Sequence, residues 1–217
     1  MRLWLQNTDI AGIGDAEGIR GSVVAGSLYF SLHTADVGEA GDQLTNEVAY
    51  TPYARISVAR SGVGFSVVGS TGSPVANIDF PQRTDVGTVV ATHWALGVNP
   101  SGAGKVLYKG GIGPPMVCFT AKDAGDVFTI PDLTFVVDER VQFLALEGGS
   151  LPGGVTEGVA YFVKTVSGKD ITVSTTLGGD TLPVTSDGAG FAQKIEKITI
   201  EKNTIPRFTT ATIIREG

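Results

Sequence analysis

The sequence is poor in the residues that carry most catalytic and redox chemistry. It has one cysteine and two histidines among 217 residues. Cys118 therefore cannot form an intrachain disulfide, and its place in the apolar run MVCF predicts a buried core thiol. His33 and His93 are isolated in the sequence from each other and from Cys118. Neither a zinc site nor a nucleophile with its base is predicted.

Charge is also sparse. Charged residues make up 18% of the chain, the formal net charge is −6, and no two Lys or Arg residues are adjacent. The chain thus lacks the clusters of basic residues that bind a nucleic-acid backbone or a membrane surface. It also has no apolar run of bilayer-spanning length. We predict no nucleic-acid partner and no membrane partner.

Two glycine-containing strings resemble nucleotide-binding motifs but lack their register. In GIGDAEG (12–18) the third glycine comes one residue too late for the dinucleotide fingerprint. NPSGAGKV (99–106) has Asn99 where a P-loop needs glycine and Val106 where it needs a hydroxyl. The acidic loop at 36–47 lacks the EF-hand register, so a solvated loop is favoured over a calcium site. No catalytic residue, metal or cofactor is predicted.

What the chain has in quantity is glycine, valine and threonine. Thirty glycines and ten prolines among many β-branched residues favour short strands joined by tight turns. Residues 27–34 alternate apolar and polar side chains with the period of a half-buried strand. Further strands are predicted at 53–61, 64–69, 77–81, 92–98 and 105–110. The fold class predicted is all-β.

Changes in amino-acid composition and strand pattern along the chain predict that it has three parts. Residues 1–26 are interrupted by glycine and are interpreted as an extended N-terminal arm. Residues 27–114 together with 197–217 are predicted to form a parent β-sandwich, in which the terminal strands pair. After Pro114-Pro115 the pattern changes, and residues 115–196 are predicted to form a second, inserted small β module.

Residues 28–61, LYFSLHTADVGEAGDQLTNEVAYTPYARISVARS, resemble a family of small tailed-bacteriophage virion proteins labelled tail-fibre or head-decoration proteins. The resemblance continues through NIDFP, THWALGV, SGAGKVLYKG and ITIEKNTIPRF, and so covers residues 1–112 and 197–217. Val37 departs from it, because family members usually carry proline there. Residues 115–195 resemble a different phage β module.

The resemblance implies a non-enzymatic structural protein of the virion. We expect a capsid decoration (cement) protein that stabilises the head. A tail-fibre, tail-tip or head-fibre component contacting the host surface is the alternative, and a polysaccharide depolymerase is the third possibility. The expected partners are the major capsid protein or other virion subunits. We expect a homo-oligomer, most simply a trimer, on the capsid surface or tail of a particle assembled in the host cytoplasm.

Candidates for subunit contact occur in two places. The arm is expected to gain its order mainly from another chain, because a glycine-rich segment cannot offset its ordering entropy alone. A group of two tyrosines and an arginine suits either a packing cluster at a strand edge or a subunit contact. The interface candidates are Trp4, Ile10, Ile13, Tyr50, Tyr53 and Arg55.

Overall fold

A computed structural model describes residues 5–6, 26–146 and 148–215. Its strands confirm the all-β prediction.

The chain divides into two compact units, the first comprising Met1–Gly110 and Ile198–Gly217 and the second comprising Gly111–Lys197. That the second is an inserted domain able to fold by itself stays a prediction. Across the described residues, no helix has the length and apolar composition needed to cross a bilayer.

The first unit contains most of the strands, and many are short. In chain order they are β1 (Ser27–His33), β2 (Ile56–Ala59), β3 (Phe65–Val68), β4 (Thr71–Pro74), β5 (Ile78–Asp79), β6 (Val89–Ala91), β7 (His93–Gly97), β8 (Val106–Gly111), β15 (Ile198–Ile200), β16 (Arg207–Phe208) and β17 (Ile214–Arg215). These strands form a four-stranded main sheet of order β2-β1-β7-β8 and three smaller sheets, and their packing as a β-sandwich stays a prediction.

The main sheet is built around β1. It pairs antiparallel with β2, with Leu28 opposite Val58, and with β7, with Phe30 opposite Leu96. Leu28, Phe30 and Leu32 are all buried, as the alternation predicts, but Ser31 and His33 on the opposite face are buried as well, so only the first half of β1 is half-buried. Aromatic rings extend this core, since the Phe30 ring centroid lies 6.0 to 6.2 Å from the rings of Phe65, Trp94 and Phe208.

The C-terminal strands pair with earlier strands of the same unit in reverse order. β15 pairs with β6, β16 with β5, and β17 with β4, all antiparallel. Arg83 also binds this C-terminal segment, residues 198–215, because its buried guanidinium donates a hydrogen bond to the carbonyl of Ile200 at 2.9 Å. The side chain of Phe208 is buried and its ring packs edge-on against Phe80 at 5.9 Å. The tail is therefore part of the core of the first unit.

The second unit is a closed barrel. Its strands are β9 (Val117–Lys122), β10 (Val127–Thr129), β11 (Arg140–Leu144), β12 (Ala160–Ser167), β13 (Asp170–Ser174) and β14 (Gly188–Ile195), in the order β10-β13-β12-β11-β14-β9. Closure leaves the six strands without a free edge. Phe143 lies at the centre of the core, with ring centroids 4.8 Å from Phe119 and 4.5 Å from Phe128.

The prediction of a buried thiol was wrong, because Cys118 is exposed. Successive side chains of a strand point to opposite faces, and in β9 it is Phe119 and Ala121 that point into the barrel. The run MVCF is continuous in its apolar character, so the sequence alone did not show which of its residues shares the face of Phe119.

Only a small part of the predicted arm lies within the described residues. Leu5 is fully buried, and the side-chain amide of Gln6 donates to the carbonyl oxygen of Phe65 at 2.7 Å. At these two positions the arm is therefore anchored in the core of its own unit. The predicted contact residues Trp4, Ile10 and Ile13 lie outside the described residues. Ordering of the remaining arm by another chain stays a prediction.

Candidate functional site

The segment that carries the phage-like signature folds back along the end of β1. The backbone N–H of Thr34 donates to the carbonyl of Asn46 at 2.8 Å, and that of Val48 donates to Leu32 at 2.9 Å. Glycine is required where the segment reverses. Gly38 has φ +73°, and a Cβ on Gly41 would lie 2.0 Å from the carbonyl oxygen of Val37. We call residues 34–55 the signature loop.

A buried ion pair joins Arg55, at the end of the signature loop, to Glu47 in the second half of the loop. The Arg55 guanidinium donates to both carboxylate oxygens of Glu47, from Nε at 2.7 Å and from Nη2 at 2.8 Å. The side chains are only 2% and 11% exposed. A third donation, from Nη1 to the carbonyl of Asn99 at 3.1 Å, ties the pair to the β7–β8 connection. The hydrogen bond to Glu47 raises the pKa of Arg55.

Tyr53 links this ion pair to β1. Its hydroxyl donates to Glu47 Oε1 at 3.0 Å and accepts the backbone N–H of Leu32 at 3.0 Å. Burial and, next, the negative charge of Glu47 raise the pKa of Tyr53, so its hydroxyl stays protonated and able to donate. Its ring stacks on Phe80, with centroids 6.1 Å apart and planes inclined by 7°. The signature loop is thereby joined to the aromatic core.

Tyr50 completes the cluster. Its ring meets that of Tyr53 edge-on at 5.3 Å, and its hydroxyl donates to the carbonyl of Pro81 at 2.9 Å. Burial raises the pKa of Tyr50 to about 12. The structure thus brings together Tyr50, Tyr53 and Arg55, as their spacing predicted, and engages all three within the chain. Their role in a subunit interface stays a prediction.

Gln43 is a structural residue that the sequence analysis missed. Its side chain is fully buried, and its Oε1 accepts the backbone N–H of Asn99 at 3.0 Å. Two glycines make room for it, because a Cβ on Gly97 or Gly104 would lie 2.2 Å from atoms of the Gln43 amide. A signal was present in those two glycines, but matching them to a glutamine more than fifty residues earlier requires the fold.

The acidic residues of the signature loop do not converge. Asp36 and Glu39 both bind Lys109, at 3.2 and 3.0 Å. Asp42 accepts the backbone N–H of Leu44 at 2.8 Å, while Glu47 is held by Arg55. Among residues 5–6, 26–146 and 148–215, no three His, Cys, Asp or Glu side chains are grouped so as to hold a metal ion. The carboxylates of this loop therefore bond either within the loop or to Lys109 of β8.

The two histidines, isolated in the sequence, lie directly opposite each other in β1 and β7. Both are buried. His33 Nδ1 lies 2.8 Å from the carbonyl of Thr45, which can only accept, so this nitrogen carries the proton. Its Nε2 lies 2.8 Å from the hydroxyl of Ser31. Burial lowers the pKa of His33, and a neutral ring satisfies both bonds.

A protein-family model matches more than half of the chain. The model of the family described as "Podophage GP4 fiber I protein gp80" matches residues 19–135, which is more than half of the sequence. The chain belongs to this family. It is therefore a structural protein of a bacteriophage virion. No curated protein matches it.

The match to the fiber I protein family spans all of the signature loop and strands β1 to β10. It continues past residue 114, where the sequence analysis placed the end of the first part of the parent domain, and includes the first two strands of the barrel. The family pattern therefore crosses the boundary between the two units.

Proposed function

We propose that the chain is a structural subunit of a fibre on the exterior of a phage particle. The description of its family, which names a fiber protein, is the observation that carries this proposal. The geometry of the signature loop supports a structural role. Its ionic and aromatic side chains are buried and bonded to one another, which suits a rigid scaffold.

Capsid decoration, the first expectation from the sequence, is the competing function. The two positions differ in stoichiometry, because a decoration protein accompanies the major capsid protein over the whole head whereas a fibre is attached at few sites. Quantitative mass spectrometry of purified particles measures this ratio. We expect a copy number far below that of the major capsid protein, together with antibody labelling confined to projecting fibres. A copy number comparable to the capsid protein, with labelling over the head, would establish decoration instead.

We further propose that the protein acts without catalysis. A depolymerase would release oligosaccharides from the host envelope, so incubation of the purified protein with isolated host polysaccharide is a direct test. We expect no increase in reducing ends over a boiled sample, while a known depolymerase in parallel shows that the substrate is cleavable. Release that scales with protein concentration would contradict this part of the proposal.

A further inference from the structure

The signature loop covers the face of the main sheet that lies opposite the aromatic core. On β1 this face carries Ser31 and His33, and both side chains are buried. Gly97 lies on the same face of β7, because it is paired with Tyr29. A Cβ added to Gly97 would meet the side chain of Gln43 in the signature loop at 2.2 Å. The loop therefore separates this face from water.

The only two histidines of the chain lie side by side on the covered face. His33 of β1 is directly opposite His93 of β7, and both are at most 2% exposed. On the other side of β1, Glu47 of the signature loop is paired with His33 through an antiparallel bridge. Residues opposite each other in antiparallel strands have Cβ atoms about 4.5–5.5 Å apart. Glu47, His33 and His93 therefore form one row across the sheet.

Hydrogen bonds connect both imidazole rings to the signature loop. His33 Nδ1 donates to the carbonyl of Thr45 at 2.8 Å. The hydroxyl of Thr92 donates its single proton to the carbonyl of Thr34 at 2.8 Å, so its oxygen accepts from His93 Nδ1 at 2.9 Å. The loop is thus bonded to the first ring directly and to the second ring through Thr92.

Protonation of His33 would add a charge that has no direct counter-ion. The charged and titratable groups that face it are Glu47, Arg55 and Tyr53 of the signature loop and His93 of β7. The charge of Glu47 is already balanced, because Arg55 binds both of its carboxylate oxygens. The two nitrogens of His33 are bonded to a hydroxyl and a carbonyl, so neither has a carboxylate in hydrogen-bond contact. A buried charge without such a partner is costly until water reaches it.

Displacement of the loop is the shortest way for water to reach the rings. The opposite face of the sheet is the aromatic core around Phe30, and its exposure would require unfolding of the first unit. Residues 34–46 of the loop contain no strand, so their opening breaks none of the four strands of the main sheet. Glu47, by contrast, stays attached through its bonds to Arg55 and Tyr53.

We infer that His33 and His93 form an acid-sensitive switch, which releases residues 34–46 from the main sheet when the rings are protonated. This holds whether the chain is a fibre subunit or a decoration subunit. Asp and Glu ordinarily titrate near pH 4, so histidines are the side chains whose charge changes between about pH 5.5 and 7.5. The second unit contains no histidine, and its barrel should therefore stay closed over this range.

The test is hydrogen exchange of the full-length chain by mass spectrometry at about pH 7.5 and 5.5, with rates normalised to unfolded peptides at each pH. The backbone N–H groups of Thr34 and Gln43 report on the loop, since they donate to Asn46 and Gly104. A histidine exposed by opening has a pKa of about 6.5, so each ring raises the opening constant by up to about tenfold per pH unit below that value. Protection of the loop should fall about tenfold, while β3 and β12 keep theirs.

Variants separate the charge of the rings from their packing. His33→Gln combined with His93→Gln should remove the pH dependence of loop exchange, because glutamine does not titrate. Ser31→Ala is the matched control, since it removes the hydroxyl bonded to His33 Nε2 and keeps both rings. It should lower loop protection at both pH values and retain the pH dependence of the wild type.

Three results would overturn the inference. The first is equal loop protection of the wild type at the two pH values. The second is an equal loss of protection in β3, because the whole first unit would then be opening. The third is a pH dependence that persists in the double variant. If that variant does not fold, an NMR titration of the wild-type imidazoles decides, since midpoints below 6.5 support the switch and midpoints at or above 6.5 overturn it.

Discussion

Arg55→Ala tests whether the signature loop is held by its buried ion pair. The substitution removes three donated hydrogen bonds and leaves the Glu47 carboxylate, 11% exposed, with the Tyr53 hydroxyl as its remaining partner among the described contacts. Removing one partner of a buried pair costs about 3–5 kcal/mol, because the other charge stays buried without compensation. At about 2–4 °C per kcal/mol for a chain of this size, the melting temperature should fall by roughly 6–20 °C.

The assay is thermal and urea unfolding followed by circular dichroism. Arg207→Ala is the matched control, since Arg207 also binds one carboxylate, that of Asp79, through two nitrogens, but both side chains are about half exposed. Water screens that pair, so its loss should change stability far less. Glu47→Gln combined with Arg55→Ala should recover part of the loss, because the uncompensated charge is gone. A loss below about 1 kcal/mol for Arg55→Ala, the range of surface pairs, would refute the reasoning.

Three other predictions concern separate parts of the chain. Burial lowers the pKa of His33 from its ordinary 6.5, so below about pH 6.5 the unfolded chain binds a proton that the folded chain does not. The free energy of unfolding should therefore fall as the pH goes from 7 towards 5, and His33→Gln should flatten this slope in pH-dependent urea titrations. Leu5→Ala should lower the free energy of unfolding by about 2–5 kcal/mol in the same titrations, because Leu5 is fully buried. An unchanged urea midpoint would contradict this and would indicate that the arm contributes only to contacts with other chains. Replacing Gly111–Lys197 by a short Gly-Ser linker should leave a first unit that unfolds cooperatively in calorimetry, and an unfolded remainder would contradict an independent insertion.

Local patterns in the sequence predicted local structure well. The alternation of Leu28, Phe30 and Leu32 identified β1 and its apolar core face, because this information lies within a few consecutive residues, but it did not show that Ser31 and His33 on the other face are buried too. The strand predicted at 105–110 is β8 within one residue at each end. The choice of face was not predictable for Cys118, since the flanking residues of its run are apolar on both faces.

Non-local pairings were beyond the sequence. β16 and β17 are two residues long, and nothing in RF or IR indicates that their partners are β5 and β4, more than one hundred residues earlier. The sequence likewise did not show which distant residues meet in the candidate site. The spacing of Tyr50, Tyr53 and Arg55 predicted a cluster, but Glu47, the shared partner of Tyr53 and Arg55, had been interpreted as one acid of a solvated loop. Only the return of the loop along β1 places that carboxylate beneath them.

The reverse pairing of the C-terminal tail sets an order of folding during translation. All six strands of the barrel leave the ribosome before β15 does, so the barrel can close while the first unit still lacks its last three strands. Until β15, β16 and β17 have been synthesised, β6, β5 and β4 lack these partners, and their edges are available to other nascent chains. The strands made after the barrel thus determine whether the first unit is completed, and a chain terminated shortly before β15 would have a complete barrel and an incomplete first unit.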